Sequence, residues 1–130
     1  MKRRTYLKAA LSAMAVASSA AAAGSGGKIQ LFVDLTVDPA KEKEMLRRFH
    51  ETFKPAAMKQ PGYIDVQMLK LRSALQGTAP AGANYRFVLT YQSEELRQKW
   101  VASATHIKVW PQIEETLANK NYTVLLYDVA

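Results

Sequence analysis

Ser93–Leu117, SEELRQKWVASATHIKVWPQIEETL, holds both tryptophans and one of the two histidines of the chain. Ser93 can cap a helix, and Glu94 and Glu95 follow at the positive end of its dipole. Leu96 and Trp100 then stand four residues apart on one helical face. Ser103–Thr105 are small or hydroxyl-bearing and can end one helix and cap the next. His106 opens a second segment in which Ile107, Trp110, Ile113 and Leu117 recur at helical spacing. Pro111 is tolerated within the first turns of a new helix, where an N–H is not needed. The stretch predicts one helix broken in two, with the rare aromatic and imidazole side chains gathered at the break.

Outward from it, the pattern changes to a period of two. Tyr85–Gln92, immediately before it, places Tyr85, Phe87, Leu89 and Tyr91 on one face, and Tyr122–Val129, after the turn at 118–121, is apolar on both faces. Tyr63–Leu71 alternates Ile64, Val66 and Met68 with Asp65 and Gln67. Ile29–Val37 alternates Ile29, Leu31, Val33, Leu35 and Val37 with Gln30, Phe32, Asp34 and Thr36. These four runs read as strands. Between the first two lies a helix. Asp38 caps it, Pro39 suits its first position, and Met45, Phe49 and Phe53 make its apolar stripe. Pro55 disfavours continuation at Lys54, although residues 56–59 can form another turn. Gln60-Pro61-Gly62 closes the element. The loop Ser73–Asn84 is long for a hairpin and reads either as a flap or as a tolerated insertion.

The order β-α-β-β-α-β is the ferredoxin-like, split βαβ plan of the α+β class: a four-stranded antiparallel sheet with both helices on one face. Strands with two apolar faces need a second cover. A second copy of the same sheet is the economical one, which predicts a homodimer through the open sheet face.

The chain has 130 residues, room for one domain, with 48% hydrophobic and 22% charged residues. Without cysteine, disulfides, thiolate catalysis and cysteine-ligated zinc or iron–sulfur clusters are excluded. The formal charge is +7, but Lys2, Arg3, Arg4 and Lys8 lie in the first eight residues. Elsewhere Lys and Glu mix along helices, without a basic stripe interleaved with aromatics, so nucleic acid is not expected as a partner. No HxH or HExxH spacing points to a metal, and no glycine loop opens a helix to cradle phosphate.

Residues 1–23, MKRRTYLKAALSAMAVASSAAAA, follow the plan of an export signal: a charged start, a weakly apolar run, then small residues. Arg3-Arg4-Thr5-Tyr6-Leu7-Lys8 resembles the twin-arginine motif, with Lys2 in place of the usual serine or threonine. The expected divisions are a signal peptide at 1–23, a linker at 24–28 and a single domain at 29–130. The destination is periplasmic or secreted, with no stable membrane span once the signal is removed.

The element order, Gln60-Pro61-Gly62-Tyr63, Tyr91-Gln92-Ser93-Glu94-Glu95 and Ser103-Ala104-Thr105-His106 together resemble the antibiotic biosynthesis monooxygenase-like domains, over Ile29–Val129. The resemblance implies a dimeric α+β barrel with a pocket between each sheet and its helices. It also implies, for some members, oxidation of polycyclic phenols by molecular oxygen without a cofactor. On that reading His106 is the catalytic base, Trp100, Trp110 and Phe49 shape the pocket of a small aromatic or quinol-like compound, and Tyr91 is a secondary donor. No cofactor is called for. Two plainer readings stand beside it. His106 is a helix-start histidine that hydrogen-bonds its neighbours or faces water, or the protein is a non-enzymatic ligand-binding or stress-associated dimer. Trp100 also matches the tryptophan of the family's haem-degrading branch, but the histidine that branch needs ten residues later is Trp110 here, and the first strand offers Gln30 and Asp34 where an asparagine is required. Haem degradation is therefore not expected.

Overall fold

The structure, a computed structural model, describes residues 27–80 and 82–130; the expected signal peptide at 1–23 and most of the expected linker at 24–28 lie outside them. Strand β1 (Ile29–Leu35) is central. It pairs antiparallel with β3 (Tyr85–Tyr91) on one side and β4 (Thr123–Asp128) on the other. Strand β2 (Tyr63–Lys70) adds to β3, giving the order β2-β3-β1-β4. The expected ferredoxin-like sheet is present, with strand ends within one or two residues of those read from the sequence.

Register explains the two faces. Val33 sits opposite both Phe87 and Val124, and Leu31 opposite both Leu89 and Leu126, so these side chains share the face toward the helices. On that face Ile29, Val33, Leu35, Phe87 and Leu89 are buried against Met45, Phe49 and Phe53 of the first helical element and Trp100, Val109 and Ile113 of the second. On the opposite face Asp34 and Arg86 are register partners. Arg86 donates through Nε (2.7 Å) and Nη2 (3.2 Å) to the Asp34 carboxylate, which fixes the guanidinium across the strands. No helix lies over this face among the described residues, and Leu125, Tyr127 and Val129 are exposed.

The first helical element is longer and less regular than its sequence suggested. Asp38 Oδ1 accepts from Ala40 N at 2.9 Å and opens a tight turn at Pro39–Lys41, followed by α1 (Glu42–Arg48). A wide turn at Phe49–Phe53 then leads directly into α2 (Lys54–Met58), which runs through Pro55. In the wide turn Lys54 N bonds Phe49 O, five residues back rather than four. That spacing puts Pro55 in the first turn of α2, where its missing N–H costs nothing. The insertion also leaves Phe49 and Phe53 stacked, centroids 6.1 Å apart, on the sheet side.

The broken helix is present as α3 (Glu94–Ala102) and α4 (Ala104–Glu114). Ser93 Oγ accepts from Leu96 N, and Ser103 serves both segments: its Oγ donates to Trp100 O (2.6 Å) and accepts from His106 N (3.2 Å). Two details of the expected pattern change. The buried residues of α4 are Val109 and Ile113, whereas Ile107 is 65% exposed. Pro111 lies inside α4 rather than in its opening turns. Both follow from the Ser103 cap, which starts the helix at Ala104 and turns Ile107 and Pro111 to solvent, where water can serve the carbonyl that Pro111 leaves without a donor.

Gly62, at φ 91°, turns the chain from α2 into β2. A Cβ there would stand 2.7 Å from Leu96 Cδ1 and 3.2 Å from Tyr91 Cδ2. The β2–β3 loop is tied at its end by Asn84, whose Oδ1 accepts from Val37 N (2.8 Å) and whose Nδ2 donates to Val37 O (2.9 Å).

Candidate active site

A cavity of about 200 Å³ opens between the sheet, the wide turn and the α3–α4 break. Its floor is Leu31, Val33, Phe87, Leu89 and Val124 from three strands; Phe53, Trp100 and Trp110 form its aromatic walls. His106 lies at its edge, held in the first turn of α4 by the Ser103 cap. The imidazole ring is packed on three sides. Trp100 meets it edge-on at 5.0 Å, Trp110 stacks at 6.2 Å with planes 15° apart, and Phe53 stands at 6.4 Å.

This surrounding sets the protonation of His106. Burial disfavours the charged ring and the nearby Arg97 guanidinium repels it, so its pKa falls below the ordinary value of 6.5; Glu114 pulls weakly the other way. The positive end of α4, in whose first turn His106 lies, acts in the same direction. His106 is therefore a neutral imidazole near pH 7. Neither ring nitrogen has a hydrogen-bond partner among the described residues, which leaves one nitrogen free to accept a proton from a ligand.

Polar groups are few. Tyr122, at the start of the β4 segment, accepts from Trp110 Nε1 (3.3 Å) and donates to Glu114 Oε2 (2.6 Å), an arrangement that fixes the Trp110 ring. Burial and the bond to Glu114 raise the Tyr122 pKa. Arg97 reaches the cavity from α3. The described residues contain no cluster of three or more His, Asp or Glu that could hold a metal.

Of the five residues picked from the sequence, the structure brings His106, Trp100 and Trp110 together on the cavity. Phe49 and Tyr91 are not among its lining residues. Phe49 is buried one helical turn behind Phe53, against which it stacks. Tyr91 is wholly buried, near Gly62; its hydroxyl has no partner, and burial pushes its pKa up to about 12. Phe53, Phe87, Arg97 and Tyr122 were not singled out for the site. The signal for Arg97 was available, since Arg97, Trp100 and Val101 stand at i, i+3, i+4 and all three line the cavity. The β2–β3 loop does not border this cavity. It lines a separate depression of about 380 Å³ beside Asp34 and Arg86.

Comparison with solved structures bears on the architecture. A putative antibiotic biosynthesis monooxygenase from Caulobacter crescentus superposes with TM-score 0.64 at 19% identity, over 82% of this chain and 92% of that one. SnoaB, a cofactor-independent oxygenase from Streptomyces nogalater, gives 0.62 at 14% identity, over 78% and 92%. A dimeric ferredoxin-like protein of unknown function from Jannaschia sp. CCS1 gives 0.61 at 15%, over 80% and 99%. The fold is ferredoxin-like. At these identities the likeness concerns the fold alone, and no protein-family model and no curated protein matches the sequence.

Proposed function

We propose that this protein is a cofactor-independent monooxygenase acting on a small aromatic or quinol-like compound, with His106 as the base. The observation that carries the reading is the neutral, unpartnered imidazole of His106 at the edge of an aromatic cavity. The cavity suits a flat, apolar ligand and excludes much of the water that would compete for the imidazole. About 150 Å³ of apolar space holds a benzene ring, so about 200 Å³ fits a compound of one or two rings. The fold's likeness to a cofactor-independent oxygenase agrees with this reading.

The chemistry follows from the residue. Neutral His106 takes a proton from a phenol, or from a CH₂ activated by an adjacent carbonyl, leaving an electron-rich anion. The anion passes an electron to molecular oxygen, and the two fragments combine to form a C–O bond in a hydroperoxide. Loss of water leaves a carbonyl, so one oxygen atom enters the product and the other leaves as water. The substrate supplies all the electrons. The imidazolium gives its proton to the peroxide, making the hydroperoxide; the hydrogen still on that carbon is then lost as the O–O bond breaks, and it joins the departing hydroxide as water.

The test is oxygen consumption by the purified protein with one- and two-ring quinols and aryl ketones of the same size, with His106→Ala as the control. Uptake lost in a folded His106→Ala variant supports the reading. Binding of these compounds by the wild-type protein with no uptake makes it a ligand-binding protein instead. Two further parts belong to the proposal. Residues 1–23 direct twin-arginine export, and a second copy covers the open sheet face, as the dimeric state of one fold relative suggests.

A further inference from the structure

Arg97 is the only cationic side chain that lines the His106 cavity among the described residues. Its setting differs from that of an ordinary helix-surface ion pair. Arg47 and Glu44 on α1 also pair at i, i+3, and there the arginine side chain is 53% exposed; Arg97 in its pair with Glu94 is 17% exposed. An arginine drawn under the surface beside tryptophan and phenylalanine gives up hydration that an exposed pair keeps.

The bonding of Arg97 leaves one side of the guanidinium available. Nε and Nη2 each donate to a different oxygen of Glu94 at 2.6 Å, and Glu94 also accepts from Gln98 Nε2 at 2.9 Å. Glu94 is not a lining residue, so it grips the guanidinium from outside the cavity. Nη1, with its two N–H groups, has no protein acceptor among the described residues. A guanidinium already fixed by Glu94, with the Nη1 donors unengaged, recognises a carboxylate at little further cost in side-chain entropy. Arg97 also depresses the pKa of His106, while Glu94 does not figure among the groups acting there, which agrees with a positive charge turned toward the cavity and only partly offset.

We propose that Arg97 is a specificity-determining residue and that the cavity takes an aromatic carboxylate, whose carboxylate pairs with Nη1 of Arg97 while its ring lies among Phe53, Trp100 and Trp110. This rests on the cavity being the substrate site of the proposed oxygenase, and it narrows that substrate to an acid. The arrangement also places the reacting part of the ligand toward His106 rather than toward the charge, because the acid end is held at α3.

The experiment is a binding measurement, separate from turnover. Calorimetric titration at about pH 8, where the acid is ionised and His106 neutral, compares 4-hydroxybenzoate with 4-hydroxybenzamide, and 6-hydroxy-2-naphthoate with its amide. The wild-type protein is expected to bind at least one acid about ten-fold more tightly than its amide, as a partly buried charge-assisted pair would give. Arg97→Gln is expected to bring that ratio close to one, and Arg97→Lys to keep part of it, with circular dichroism confirming the fold of each. Equal affinity for acid and amide in the wild-type protein, absence of acid binding at millimolar concentration, or an acid preference that survives in folded Arg97→Gln overturns the proposal. An acid preference without oxygen uptake from any quinol, ring-carboxylated quinols included, overturns the oxygenase reading and leaves the acid-binding cavity standing.

Discussion

At the scale of single residues, half-buried His106 and fully buried Tyr91 are polar groups with opposite consequences. His106 has an open cavity before it and a depressed pKa. If it is the base, kcat/KM falls only as pH drops below a value under 6.5 and stays level above neutrality. A pH–rate profile checks this, and His106→Gln is expected to lower kcat by about 10²–10⁴-fold. Folding is linked to the same proton. Above pH 6.5 neither state holds it, and His106 contributes nothing to the slope. As pH falls below 6.5 the unfolded chain protonates first, so stability declines until pH reaches the lower folded value. His106→Gln should flatten that limb in urea unfolding. Tyr91 instead buries a hydroxyl with no partner. Removing such a group removes a desolvation penalty, so Tyr91→Phe is expected to leave stability unchanged or raise it by about 1–2 kcal/mol. A loss of that size in the unfolding free energy would mean that the hydroxyl is satisfied after all.

At the scale of elements, the α3–α4 break decides where His106 points, and one serine controls the break. Ser103 Oγ both closes α3 and caps α4. Ser103→Ala is expected to cost about 1 kcal/mol in urea unfolding, with Ser103→Asp recovering part of it. Because the cap fixes the first turn that carries His106, the alanine variant should also lower kcat in the oxygen-uptake assay. The cap explains what the sequence disclosed and what it hid. The break was readable because Ser103 is a capping residue between two apolar runs. The phase of α4 was not: a spacing pattern admits Ile107 or Val109 as its inner member, and the choice waits on the residue at which the helix starts. The wide turn at Phe49–Phe53 was hidden for a related reason. An i to i+5 bond has no composition of its own, and Pro55 gave the only hint by forbidding ordinary continuation at that register. The cavity was hidden more deeply, since Phe53, Phe87 and Tyr122 reach it from three separate parts of the chain whose meeting depends on the whole sheet. The turn at Gly62 was legible as proline–glycine punctuation, but its closeness to Leu96 and Tyr91 was not. Gly62→Ala meets both a left-handed φ and a 2.7 Å approach to Leu96 Cδ1, and is expected to cost roughly 2–4 kcal/mol.

At the scale of the molecule, the sheet carries the cavity on one side and an open face on the other, and β4 takes part in both. Val124 lines the cavity, while its neighbour Leu125 points to the open face, where Tyr127 and Phe32 meet edge-on at 5.2 Å and Arg86 lies 5.3 Å over the Phe32 ring. β4 is paired only with β1, and all its residues are exposed. A strand with so few buried contacts is held more firmly when its outer side is covered. A second copy laid face to face would do this, needing about 800 Å² from each partner. In such an isologous contact every substitution occurs twice about one axis, so Leu125→Glu buries two carboxylates in an apolar interface. Wild-type protein is then expected to sediment as a dimer at micromolar concentration and Leu125→Glu as a folded monomer, with dimer affinity reduced by about 100-fold or more. The coupling through β4 adds a second expectation. The monomeric variant should bind aromatic ligands more weakly than the wild type, although Leu125 does not touch the cavity, because Val124 loses the support of its strand. A wild-type protein that sediments as a monomer would mean that β4 keeps the cavity wall in place without a partner.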